Sequence, residues 1–85
     1  MFQFSIHSLE QLVKRKLTEE NILWVIETSM NKTIEEDLTI YQNIILENEK
    51  KYLVRVFVNE NKVPPLIITA YKTSNIKKYP GGTIE

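Results

Sequence analysis

The spacing of apolar residues changes once along this chain of 85 residues. In the N-terminal third, apolar side chains such as Leu9, Leu12, Val13 and Leu17 recur at helical intervals. From Leu38 onward, β-branched and aromatic residues form short runs separated by polar turns, as is typical of strands. This order of patterns predicts an α+β fold, in which two N-terminal helices pack on a three- to four-stranded antiparallel sheet.

The size of the chain predicts a single domain, residues 1–85, with one core. The sequence contains no cysteine and one histidine, so disulfides and a zinc site are not expected to stabilise it. No glycine-rich phosphate loop or nucleophile elbow is present, and no cofactor is expected. The burial of apolar side chains therefore has to supply the stability.

Two helix starts are predicted from capping residues. Ser8 and Gln11 have the spacing of a capping box, so the first helix is expected to begin at Ser8 and to end near Lys16. Thr18 is the expected cap of a second helix, which should end around residues 28–31.

Three strands are predicted over residues 38–46, 51–58 and 66–72, with polar turns at 47–50 and 59–62. The acidic stretch from Thr33 to Asp37 is interpreted as a connector. Alternation in the middle strand places Arg55 on the same face as Leu53 and Phe57. A charged side chain between two large apolar neighbours is expected either to pair with another polar group or to have a functional role.

The formal net charge is zero, which argues against a broad surface for duplex DNA. Residues 1–50 carry five Lys or Arg and nine Asp or Glu, while residues 51–85 carry six and two. The excess of basic residues in the C-terminal part would suit the binding of an anion. A solvated dipolar surface with no partner explains the uneven distribution of charge nearly as well. The apolar run that starts at Ile22 is far shorter than a membrane span, and no secretory signal is recognised, so we expect a cytoplasmic protein without a membrane partner.

His7 precedes the predicted first cap and could act as a general acid or base. The alternative is a histidine with a purely structural role, and metal binding is not expected. Glu35, Glu36 and Asp37 could form a carboxylate pair for acid–base chemistry, although adjacent acids in a connector are more often solvated surface.

The segment 71–79 interleaves aromatic and basic residues, namely Tyr71, Lys72, Lys77, Lys78 and Tyr79. This composition is suited to stacking a base and neutralising a phosphate. Alternatively, the segment is a basic strand end that buries a tyrosine. Arg55 lies on the strand that should pair with the one ending at Tyr71, so guanidinium, phenol and ammonium groups could converge on one side of the sheet.

Several sequence features together resemble a known family. They are His7 with Arg15, the strand Tyr52-Leu53-Val54-Arg55-Val56, and the run from Pro65 through Thr69-Ala70-Tyr71-Lys72-Thr73-Ser74 to Ile76-Lys77-Lys78-Tyr79. The chain resembles small bacterial domains of unknown function that are grouped with the BrnT and RelE-like toxins. The resemblance covers nearly the whole chain, and it implies a RelE/BrnT-like fold.

The resemblance also implies a function, that of a type II toxin cutting messenger RNA without a metal and neutralised by a cognate antitoxin. Arg55 would stabilise the transition state, and His7 or Tyr71 would carry protons. Arg15, Lys72, Lys77, Lys78 and Tyr79 would bind the RNA, either free or on the ribosome. DNA is not an expected partner without the antitoxin. The neutral charge and the single histidine favour a different class of function, a non-catalytic module that forms a complex or a homodimer.

Overall fold

The computed structural model describes residues 1–29 and 31–76, and it confirms an α+β fold with two N-terminal helices packed on a sheet. The elements in chain order are β1 Gln3–Phe4, α1 Ile6–Lys14, α2 Glu19–Thr28, β2 Asn31–Glu35, β3 Leu38–Glu47, β4 Lys50–Asn59 and β5 Leu66–Thr73. None of the helices in these residues is long and apolar enough to cross a membrane.

The sheet has five strands in the order β1-β5-β4-β3-β2. The three predicted strands are its centre, β3, β4 and β5, which pair antiparallel. The predicted count of three to four strands is wrong, because two edge strands were not recognised. β1 is only two residues long and pairs parallel with β5, whereas β2 lies largely in the acidic stretch interpreted as a connector. Polar edge strands lack the apolar alternation that identifies a half-buried strand.

The first helix begins earlier than predicted. Its N-cap is Ser5, whose hydroxyl oxygen accepts a hydrogen bond from the backbone amide of Ser8 at 2.9 Å. Ser8 lies inside the helix, fully buried, and its hydroxyl donates to the carbonyl oxygen of Ser5 at 2.7 Å. The capping box predicted from Ser8 and Gln11 is therefore wrong. Ser5 also donates to the carbonyl oxygen of Ile68 at 3.1 Å, which ties the helix start to β5.

The second cap agrees with the prediction. The hydroxyl of Thr18 accepts from the amide of Asn21, and the Asn21 side chain accepts from the amide of Thr18, both at 3.0 Å. This reciprocal pair satisfies two amides that no helical carbonyl can reach. The β3–β4 turn is Asn48-Glu49, and both residues have positive φ, 52° and 65°. Two consecutive positive φ angles are typical of the type I′ turn that matches strand twist in a hairpin.

One apolar layer lies between the helices and the sheet. β4 presents Val54, Val56 and Val58 to this layer, and all three are fully buried. The other buried members are Leu12, Leu17, Ile22, Val25, Ile67 and Ala70. α1 contacts β5, and α2 contacts β3 and β4. Because strand residues alternate, Leu53, Arg55 and Phe57 point to the opposite face, which we call the open face.

We predict that Ser5→Ala lowers the free energy of unfolding by about 1–2 kcal/mol, because it removes the N-cap acceptor and the hydroxyl donor to Ile68. Ser8→Ala is the matched control, and it should cost clearly less because alanine suits a helix interior. Urea unfolding followed by circular dichroism measures both. An equal or larger loss for Ser8→Ala would contradict the observed helix start.

Candidate functional site

Arg55 and Tyr71 face each other across neighbouring strands on the open face. They are direct partners in the β4–β5 register. The register shifts between Phe57 and Val58, so that Phe57 pairs with Thr69 and Val58 with Ile67. This irregularity adds one residue to β5 and lets both Ile67 and Ala70 point to the helices. The residue after Ala70 then points to the open face, which places the Tyr71 side chain beside Arg55.

The guanidinium of Arg55 is oriented by polar groups from three other strands. Its Nε donates to Gln42 Oε1 on β3 at 3.0 Å, and its Nη1 donates to Tyr71 Oη on β5 at 3.0 Å. Its Nη2 lies 3.9 Å from Glu35 Oε2 at the end of β2. The Arg55 side chain is 12% exposed, whereas that of Glu35 is 62% exposed. The arginine is therefore fixed in orientation, and the Glu35 carboxylate near it is distant and largely exposed.

A second arginine reaches the same tyrosine from the helical layer. Arg15 is the C-cap of α1, and its Cζ lies 5.9 Å from the centre of the Tyr71 ring. Its Nη1 donates to the carbonyl oxygen of Ala70 on β5 at 2.7 Å. The centres of the Tyr71 and Phe57 rings are 5.9 Å apart. The Cζ atom of Arg55 lies 5.6 Å from the centre of the Phe57 ring. We call Arg15, Arg55 and Tyr71 the arginine–tyrosine cluster.

The cluster lies next to an apolar part of the open face. Ile40 and Leu53 are fully buried there, and the Gln42 side chain that bonds Arg55 belongs to a residue only 5% exposed. Charges in such surroundings interact more strongly than charges in bulk water. An anion that reaches Arg55 would therefore gain more from the contact than at an ordinary surface arginine.

Lys72 points away from the cluster. It follows Tyr71 in β5 and so lies on the helix-facing side of the sheet, where its Nζ is 2.7 Å from Glu47 Oε1. The same Nζ lies 5.1 Å from the centre of the Tyr52 ring, and Lys50 lies 5.6 Å from that ring. The expected convergence of guanidinium, phenol and ammonium groups thus brings together the first two and leaves Lys72 on the other side.

His7 also lies apart from Arg55. It is exposed in the first turn of α1, and α1 packs on the helix-facing side of the sheet. His7 thus lies near the start of α1, whereas Arg15, which contacts Tyr71, is the C-cap at the other end of that helix. The remaining predicted site residues, Lys77, Lys78 and Tyr79, lie outside the described residues.

Gln42 and Glu35 join the site although sequence reasoning did not assign them to Arg55. A signal for Gln42 exists, since it stands between Ile40 and Ile44 on one face of a strand. A polar residue there needs a hydrogen-bonding partner once it is buried. Glu35 was considered as an acid–base residue with Glu36, and it meets Arg55 because β2 pairs with β3.

One titratable group outside the cluster is strongly perturbed. Burial raises the pKa of Tyr41 to about 12, and its hydrogen bond to the Glu60 carboxylate acts in the same direction. Both effects disfavour the phenolate, so this tyrosine is not suited to proton transfer near neutral pH. Among residues 1–29 and 31–76, no three His, Asp or Glu side chains are grouped as metal ligands would be.

Comparison of the chain with protein-family models, with curated proteins and with solved structures found no match. The two N-terminal helices and the five-stranded, mostly antiparallel sheet are accordingly the level at which its structure can be classified.

We predict that Tyr71→Phe lowers the free energy of unfolding by about 1–2 kcal/mol, because it keeps the ring and removes an acceptor for a charged, mostly buried guanidinium. Tyr52→Phe is the matched control, because the Lys50 and Lys72 contacts of Tyr52 are made with its ring. Its effect should stay within about 0.5 kcal/mol. Equal losses in chemical denaturation would show that the Tyr71 hydroxyl is not needed to hold Arg55.

Proposed function

We propose that this domain binds RNA at the arginine–tyrosine cluster and cleaves it without a metal, as a toxin of the RelE-like kind. The observation that carries the proposal is the position of Tyr71, which contacts Arg55 through its hydroxyl and Arg15 through its ring. Two permanently charged guanidiniums beside one phenol form a compact site for a phosphate, with a proton carrier next to it.

Glu35 supports an anion site at this position. Its carboxylate approaches Nη2 of Arg55 from solvent, as the oxygens of a phosphate would. A pair 3.9 Å apart with one partner largely exposed contributes little to stability, so a phosphate that makes closer contacts can displace it. The forked donors of arginine suit phosphate oxygens better than a single carboxylate at this distance.

The proposed reaction uses the RNA's own 2′-hydroxyl as nucleophile. Its oxygen forms a bond to the adjacent phosphorus while the bond from phosphorus to the 5′-oxygen breaks, which leaves a 2′,3′-cyclic phosphate and a 5′-hydroxyl. The proton lost from the 2′-hydroxyl goes to solvent water, and the 5′-oxygen gains one from the phenol of Tyr71, which water then reprotonates. Arg55 stabilises the negative charge that builds on the phosphate oxygens, and Arg15 holds the neighbouring backbone.

Tyr71 is the proton carrier that fits this arrangement, because its hydroxyl lies within the cluster, while His7 lies at the other end of α1 from Arg15. In this proposal, His7 has no direct part in the chemistry. Lys72 is paired with Glu47 on the other side of the sheet and has no direct part either, while Lys77, Lys78 and Tyr79 stay proposed RNA-binding residues. A cognate antitoxin would neutralise the activity by covering the open face.

We predict that Arg55→Lys reduces the rate of RNA cleavage at least about tenfold, because lysine keeps the charge and lacks the fork. Tyr71→Phe should reduce it by a similar factor. The assay incubates purified protein with single-stranded RNA in EDTA and identifies 2′,3′-cyclic ends by mass spectrometry.

Lys51→Gln, an exposed change on the same strand, is the control and should cleave at nearly the wild-type rate. Circular dichroism confirms that each variant is folded. Absence of cleavage by the wild-type protein, or equal cleavage by wild type, Arg55→Lys and Tyr71→Phe, would reject the catalytic proposal.

Glu35→Gln is expected to tighten RNA binding by about two- to fivefold, because it removes the carboxylate that approaches Arg55. Glu36→Gln, at the neighbouring position in the β2–β3 turn, changes the net charge by the same amount and should have a smaller effect on binding. Fluorescence anisotropy with a labelled oligoribonucleotide measures both variants. Equal gains would indicate that only the overall charge matters.

A second candidate is a non-catalytic interaction module. The observation that favours it is the set of protein partners around Arg55, since Gln42, Tyr71 and Glu35 already orient the guanidinium within the fold. A stoichiometric partner that co-purifies with a chain unable to cleave RNA would select this candidate over the nuclease.

A further inference from the structure

The outer side of α2 carries an apolar surface that the core does not use. Glu20, Leu23, Trp24 and Glu27 follow one another at the spacing i, i+3, i+4, i+7 and therefore form one stripe along the helix. Leu23 is 42% exposed and Trp24 is 45% exposed. The stripe thus consists of two large apolar side chains with an acid one turn away at each end.

This stripe borders an open groove between α2 and the N-terminal segment. The groove has a volume of about 940 Å³, and its lining includes Phe2 and Ile26 besides the four residues of the stripe. Phe2 and Ile26 are partly buried against the hydrophobic core, so one side of the groove is held in place by the fold. We call this feature the α2 groove.

The charged side chains that line the α2 groove are acidic, and Met1, whose amino group is a cation, also lines it. Glu20 and Glu27 line it, Glu19 lies beside them in the first turn, and the sequence has no lysine or arginine between Lys16 and Lys32. An RNA backbone or an anionic membrane surface would be repelled by these carboxylates. A small molecule would find few convergent polar groups to orient it.

We propose that the α2 groove binds a basic amphipathic helix of a partner protein. The apolar side of such a helix would cover Leu23 and Trp24, while its lysines or arginines would pair with Glu20 and Glu27 at the two ends of the stripe. Helices dock in apolar grooves through residues at this same i, i+3, i+4, i+7 spacing, and a half-exposed tryptophan is a frequent anchor of such contacts.

The groove and the arginine–tyrosine cluster are on different sides of the sheet. α2 packs over β3 and β4 on the helix-facing side, whereas Arg55 and Tyr71 lie on the open face. A helix in the groove would not cover the cluster, so the partner would attach to the domain without competing for RNA. The proposal therefore goes beyond the proposed function and does not depend on it.

Trp24 is the single tryptophan of the chain, so the tryptophan fluorescence of the protein reports directly on the groove. The probe is a synthetic helical peptide of leucine, alanine and lysine, about 14 residues or four turns long, with lysines flanking one leucine stripe. We expect the emission of Trp24 to shift to shorter wavelength with saturation on addition of this peptide. A peptide with glutamate in place of lysine, and one with the basic sequence scrambled, should produce no saturable shift.

Glu20→Gln with Glu27→Gln should weaken peptide binding by about three- to tenfold at low salt, and less at high salt. Glu10→Gln with Asp37→Asn is the matched control, since it removes the same formal charge at exposed positions outside the groove and should leave affinity nearly unchanged. A labelled peptide measured by anisotropy also allows Trp24→Ala, which should abolish binding.

Equal weakening by the two double variants, or equal binding of the basic and acidic peptides, would overturn the proposal. Sedimentation of the free protein tests a second copy as occupant. A dimer that Leu23→Asp converts to monomer would assign the groove to self-association and overturn it as well.

Discussion

The burial of one side of β4 determines the rest of this structure. Val54, Val56 and Val58 are fully buried beneath the two helices, and strand alternation then sends Arg55 to the other side. Moving β4 by one residue would place the guanidinium in the apolar layer, where an unpaired charge is very costly. The same constraint that makes the core apolar therefore gives the open face its central cation.

The partners of Arg55 come from strands far apart in sequence. Gln42, Glu35 and Tyr71 reach it from β3, β2 and β5, and Arg15 reaches Tyr71 from the end of α1. Such a cluster forms only after the sheet and the first helix have assembled, so its geometry is as rigid as the fold itself. Preorganised donors of this kind stabilise developing negative charge without first having to reorganise.

The two surfaces of the domain differ in charge as well as in position. Arginines gather around Tyr71, while glutamates border the exposed Leu23 and Trp24 of α2. The neutral net charge of the chain therefore describes neither surface. Under the two proposals, a nucleic acid would be attracted to one side and a basic protein segment to the other, without competition between them.

Sequence by itself determined the class of fold, the cap at Thr18, the three central strands and the separation of Arg55 from the buried valines, since each follows from local spacing. Tertiary structure decided the rest. The edge strands form because neighbouring backbone offers hydrogen bonds to polar residues, and the helix start depends on a serine that also contacts Ile68. Tyr71 and Lys72 are adjacent in sequence, yet the pleat of the strand points their side chains to opposite faces. Pairing between strands that are distant in sequence brings Glu35 and Gln42 to Arg55. Long-range pairing of this kind leaves little trace in local sequence patterns.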